Sequence, residues 1–293
     1  MLKSAFIIIM LSAILITGCQ QEAKVTPTKG RLTAEVDPAV YPVIVKEKTA
    51  FDSLYKDVKI DLKEVDPLQG MVNLINGKSK MFISPRYFNK QEIDFIRKEK
   101  LNVQTFKFCY LASAVIVPKN STLDKIRVDE IKDALLGNSK KYSFVIPQNN
   151  TATYQYLQEE ILDGNAPKGA EIVPTDNDVL KKIEEGGNIL GILSFNIIQD
   201  SSKIKFLQVG QIVRKLITPD KNGLDVNYFT PHPGFVIKKY YPLWQTVYVY
   251  LNEVLLTPAS GFTTFLTSYE GQKIALGENL APAAVPVRIN ESQ

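Results

Sequence analysis

Segments with strand character and segments with helical periodicity alternate along this chain from residue 31 onward, which confines the fold to an α/β architecture. Residues 31–36 read as a strand and 43–55 as a helix, with Val43, Ile44, Phe51, Leu54 and Tyr55 as its apolar positions. A second strand over 58–65, a short helix over 70–76 stopped by Gly77, a third strand over 81–83 and a helix over 90–99 complete the unit. The apolar run 103–117 is too long for an ordinary strand, so one strand is expected to leave a first lobe and enter a second. Further helices are expected over 124–136, 151–162 and 179–185, and strands over 142–146 and 189–194. Residues 244–255 have aromatic and helical character, and 261–276 read as one final helix.

The start of the chain is laid out as a secretory leader. Lys3 precedes an uncharged apolar run from Ala5 to Ile16, which is shorter than the roughly 20 residues needed to span a hydrocarbon core. The run closes as Ile16-Thr17-Gly18-Cys19, the pattern read by a bacterial lipoprotein signal peptidase. We therefore expect a leader over 1–18, a lipid on Cys19 and a flexible polar spacer over 19–30. The folded part would then face the periplasm or the cell exterior, held to a membrane through Cys19. The competing reading is a buried N-terminal element that happens to end in Gly-Cys. Gln20 rather than Asp follows the cysteine, so nothing signals retention at an inner membrane.

Composition removes several functions. The formal net charge is +4, but the 35 Lys and Arg are dispersed among 31 Asp and Glu rather than gathered in a stripe, which argues against nucleic acid. Cys109 is the one cysteine besides Cys19, so a lipidated Cys19 leaves no intramolecular disulfide, and Cys109 in its apolar run reads as a buried hydrophobe. The single histidine, His232, sits in a Pro-His-Pro-Gly loop without the companions a zinc site requires. No Gly-x-Ser-x-Gly elbow, phosphate-binding P-loop or dinucleotide fingerprint occurs. An enzyme is not expected, nor a cofactor, nor a metal.

Several segments then line up, in order, with one family. Gly70-Met71-Val72-Asn73-Leu74-Ile75-Asn76-Gly77 with Met81-Phe82-Ile83-Ser84-Pro85-Arg86, then Ala114-Val115-Ile116-Val117-Pro118, carry the first half of the likeness. Ile189-Leu190-Gly191-Ile192-Leu193-Ser194, Tyr241-Pro242-Leu243 and Glu270-Gly271-Gln272-Lys273-Ile274 carry the second. In these the chain resembles the substrate-binding proteins of phosphate ABC transporters, of the type II periplasmic binding fold. The resemblance implies two lobes, each a mixed sheet flanked by helices, with a ligand cleft between them. It places lobe 1 over 31–111 and 245–293 and lobe 2 over 112–244. It further implies a monomer that captures phosphate or a related oxyanion and delivers it to an ABC transporter permease.

The family holds its anion with hydroxyls, backbone amides at helix starts and an arginine. Carried over residue by residue, the candidates are Arg86, Thr151 and Thr153, followed by Asn150, Tyr41 and Ser84. Thr151 reads equally as a helix N-cap, Arg86 as an exposed arginine without ligand, and Asn150 as a turn residue. Three family positions depart from the pattern: Pro67 stands where the serine is expected, Pro147 where the arginine is, and Leu111 where an acid near the hinge is common. The alternative function is thus a lipid-anchored interaction or accessory module on a binding fold that no longer takes phosphate.

Overall fold

The computed structural model describes residues 25–212, 226–253 and 256–284; the expected leader, Cys19 and the first part of the spacer lie outside the described residues. The chain opens with three parallel strands. β1 (Gly30–Val36) pairs with β2 (Val58–Glu64) along its whole length and with β3 (Met81–Ser84) at Glu35 and Val36. The crossovers are α1 (Tyr41–Leu54) and α2 (Pro67–Ile75), each with a proline in its first turn, where a missing N–H costs nothing. Gly70 lets α2 close on β3, since a Cβ there would lie 2.4 Å from the Phe82 ring. After β3 comes α3 (Lys90–Lys98), capped reciprocally by Asn89 and Glu92.

β4 (Gln104–Pro118) is a single 15-residue strand serving two sheet halves. Residues 104–112 pair antiparallel with β12 (Trp244–Leu251), and the pairing passes at Ser113 to β8 (Leu190–Ser194) and then to β9 (Ile204–Phe206). Beyond β8 lie β6 (Phe144–Pro147) and the edge strand β7 (Ala170–Val173), both parallel. A small separate sheet joins β5 (Lys125–Arg127), β10 (Gln208–Ile212) and β11 (Val226–Phe229). Flanking helices are α4 (Val128–Leu135), α5 (Ala152–Tyr156) prolonged by a π turn over Leu157–Ile161, α6 (Asp176–Glu184) and α7 (Pro233–Ile237). The chain returns to the first half as α8 (Pro258–Leu266), α9 (Tyr269–Gly277) and β13 (Ala281–Pro282), which pairs with β4.

Each half has its own core, giving two lobes. Val36, Ile44, Phe51, Val249 and Phe262 pack together in the first. In the second, β4 sends Val115 and Val117 to a core with Ile131, Leu135 and Leu157, and Ala114 and Ile116 to another with Val179 and Ile183. Alternate side chains thus enter cores on opposite faces, so a strand covered on both sides reads as an unbroken apolar run.

Three sequence expectations are corrected here. Residues 244–251 form β12, not a helix; the strand lies between β3 and β4, is buried on both faces, and so shows no two-residue alternation. The expected helix over 261–276 is two helices, because Ser268 caps a new start at α9 and a Cβ on Gly271 would meet the Phe265 carbonyl at 2.4 Å. Residues 125–127 of the expected helix over 124–136 are drawn into β5 by parallel pairing with β10.

Candidate ligand-binding cleft

Between the lobes lies a cavity of about 660 Å³. The first lobe lines it with the start of α2 (Asp66, Leu68) and the turn Pro85–Asn89, and the second with the residues around α5, from Asn149 to Glu160. Gln245 of β12, paired with Leu111 where the sheet passes between halves, completes the wall. Cavities of this size suit organic ligands. The wall is rich in amides (Asn89, Asn149, Asn150, Gln155, Gln158) and aromatics (Tyr87, Phe88, Tyr156), and its charges are Asp66, Glu159, Glu160 and Arg86.

Loops at the strand ends supply backbone and hydroxyl donors, and carboxylates of the chain itself occupy them. Asp37 follows β1; its Oδ1 accepts from the Ala39 amide at 2.9 Å and its Oδ2 from the Ser84 hydroxyl at 2.6 Å. Asp66 caps α2, accepting from the amides of Leu68 at 3.0 Å and Gln69 at 3.3 Å. Asp176, the first residue of α6, accepts from the Thr153 hydroxyl at 2.7 Å and the Ser194 amide at 2.8 Å. Burial, helped by the charges of Asp176 and Asp66, pushes the Asp37 carboxyl up to about 7 against the pull of its two hydrogen bonds. Burial likewise raises Asp176. Asp176 of the second lobe therefore acts electrostatically on Asp37 of the first. A hydrogen bond from the Asn196 side chain to the Ala39 carbonyl, at 2.8 Å, also joins the lobes.

Of the residues singled out from sequence, Arg86 and Asn150 line the cavity. The Arg86 guanidinium is bound by both oxygens of Glu92, at 2.8 and 3.0 Å, with the two side chains only 11% and 13% exposed. Ser84 is fully buried and donates to Asp37, and Thr153 is fully buried and donates to Asp176. Thr151 accepts from the Tyr154 amide as the N-cap of α5. Tyr41, at the start of α1, packs against the first core. Neither Ser84, Thr151, Thr153 nor Tyr41 is among the residues lining the cavity.

Sequence reasoning missed the acids and amides of this region: Asp37, Asp66, Asp176, Gln155, Glu159, Glu160 and Gln245. A signal existed for two of them. Asp37-Pro38 and Asp66-Pro67 each place an acid just before a proline between a strand and a helix, the arrangement of an N-terminal cap. Among the described residues no group of three or more His, Cys, Asp or Glu is placed to hold a metal ion, and no helix is long and apolar enough to cross a membrane.

Comparison with known proteins agrees with this architecture. The chain is 22% identical over 280 residues to the phosphate-binding protein PstS of Staphylococcus epidermidis, covering 90% of this chain and 82% of the relative. A putative phosphate ABC transporter substrate-binding protein with bound phosphate from Clostridium perfringens superposes with a TM-score of 0.69 at 20% identity, over 87% of this chain and all of the other. An ABC-type phosphate transport receptor from Vibrio cholerae superposes with a TM-score of 0.65 at 12% identity, over 86% of this chain. The family model of the PBP superfamily domain matches residues 21–270, and the chain therefore belongs to the PBP superfamily.

Proposed function

We propose that this protein is the solute-capturing component of an ABC transporter, lipid-anchored at Cys19 and working outside the cytoplasm. One observation carries the reading: the cavity of about 660 Å³ is walled by both lobes, so a solute seated there would hold them together. The lobe limits that go with it are 31–111 with 245–293 and 112–244, supported by the change of partners along β4. Relatives named for phosphate make phosphate and related oxyanions the first ligands to try, with Arg86, Thr151, Thr153, Asn150, Tyr41 and Ser84 as the positions the family would use.

The test is thermal unfolding of the soluble form starting at Gln20, with phosphate, sulfate, organic amines and neutral sugars. A solute at about 100 times its dissociation constant adds about 2.7 kcal/mol to stability. A shift with one solute class supports capture; no shift with any class refutes it. Radiolabelled palmitate incorporated by cells expressing the full chain, and lost in Cys19→Ala, tests the anchor.

A second reading is favoured by the occupied donors. With Asp37, Asp66 and Asp176 bonded to the loops that would otherwise receive an anion, the fold would serve as an interaction module that binds no phosphate. That reading predicts no shift with any small solute.

A further inference from the structure

We infer that the cleft takes an organic cation that also carries a hydrogen-bond acceptor, such as an amino sugar or amino alcohol, and rejects free oxyanions. The inference rests on the capture reading above and names its solute class.

The first argument is occupancy. An oxyanion needs unpaired donors converging from both lobes, yet the donors at the strand ends already hold carboxylates: Ala39 N and Ser84 Oγ on Asp37, Leu68 N and Gln69 N on Asp66, Thr153 Oγ1 and Ser194 N on Asp176. Of these residues only Asp66 and Leu68 line the cavity, and the donors of Ala39, Ser84, Thr153 and Ser194 are taken by carboxylates away from its lining. An incoming anion would have to displace Asp66 at the start of α2 and break the other pairings to reach these donors.

The second argument is the charge of the wall. Asp66, Glu159 and Glu160 line the cavity, and the one cation among the lining residues, Arg86, is held in a two-bond pair by Glu92. The wall therefore presents an excess of negative charge, beside the aromatic rings of Tyr87, Phe88 and Tyr156, whose faces attract cations.

The third argument is independent of charge. Gln245 is 3% exposed, lines the cavity, and its Nε2 has no hydrogen-bond partner. Gln155, on the same wall, leaves its Oε1 unpaired. Buried polar groups are costly when unpaired, so an orphan donor and an orphan acceptor on one cavity wall call for a ligand that supplies both complements. An ammonium group beside Gln155 and the acids, with a hydroxyl or ether oxygen beside Gln245, meets that requirement.

The test is calorimetric titration of the soluble protein with glucosamine, choline and ethanolamine, each beside its uncharged counterpart, and with inorganic phosphate. At least one amine should bind one to one, more weakly as sodium chloride is raised, while its uncharged counterpart and phosphate do not bind. Glu159 and Glu160 are exposed, so the double variant Glu159→Gln/Glu160→Gln should fold normally and bind the amine about tenfold more weakly or worse. Asp37→Ala/Asp176→Ala frees the donors of both lobes and should gain phosphate binding; wild-type thermal stability in the first variant keeps the test valid if this second one fails to fold. Phosphate binding by the wild type overturns the inference, as does an uncharged sugar binding as well as its amine, and both leave capture standing. Absence of binding by every probe overturns the inference, and capture falls with it only if sulfate and neutral sugars also leave thermal unfolding unchanged.

Discussion

Glu47 offers the sharpest test of the energetics of the first lobe. It lies on α1, is 0% exposed, and neither carboxyl oxygen has a partner. Burial pushes its carboxyl from the ordinary 4.5 up to about 9, so it is protonated in the folded protein near neutrality. The unfolded chain ionises it above its ordinary value and binds fewer protons than the folded one. Stability therefore falls as pH rises between those two values, by about 1.4 kcal/mol per unit, and the accumulated cost near pH 7 is about 3 kcal/mol. Glu47→Gln keeps the shape and the polar atoms but removes the ionisation of the unfolded chain. It should be close to neutral near pH 4 and stabilise by about 3 kcal/mol near pH 7. Urea unfolding of both proteins across this range reads the difference directly, and the titration of Asp37 cancels because both proteins share it. A stability difference that does not change with pH would refute the reasoning.

Other consequences are read in the same way. Asp37, raised to about 7, also lowers stability as pH rises from its ordinary value toward neutrality, so Asp37→Asn should flatten part of the pH slope measured by urea unfolding. Glu92→Gln breaks the two-bond pair with Arg86 and should cost about 1.5 to 3 kcal/mol in chemical denaturation, with less than additive loss in the double variant Arg86→Ala/Glu92→Gln. Gly70→Ala presses a methyl against the Phe82 ring and should lower stability by about 1 to 3 kcal/mol, partly relieved by Phe82→Leu. Thr153→Val removes the hydroxyl that serves Asp176 and should cost about 1 to 3 kcal/mol in urea unfolding, the cost growing as pH rises and Asp176, whose carboxyl burial pushes up, ionises.

The first lobe was legible from the sequence because β1 to α3 are short, sequential elements whose apolar spacing switches cleanly between strand and helix. β12 was not, since Thr246 to Leu251 are covered on both faces by packing against elements far away in the chain. The small sheet of β5, β10 and β11 was unread for a similar reason: three short segments that carry no strand signal alone are stabilised by pairing with one another. At the cleft, the residue types expected from the resemblance directed attention to hydroxyls and arginine. What those groups do depends on acids brought to them by the fold, as Asp176 is to Thr153 from 23 residues away. Ser84, Thr153 and Arg86 each proved to be bonded to an acid of the chain itself, and that pairing has no local signature.

Small-angle X-ray scattering of the soluble protein during titration with the amine probes and with phosphate tests the central claim most directly. Capture between the lobes predicts a saturable contraction with the solute that binds, absent in Glu159→Gln/Glu160→Gln. A solute that binds without any contraction, or no contraction with any probe, would contradict it.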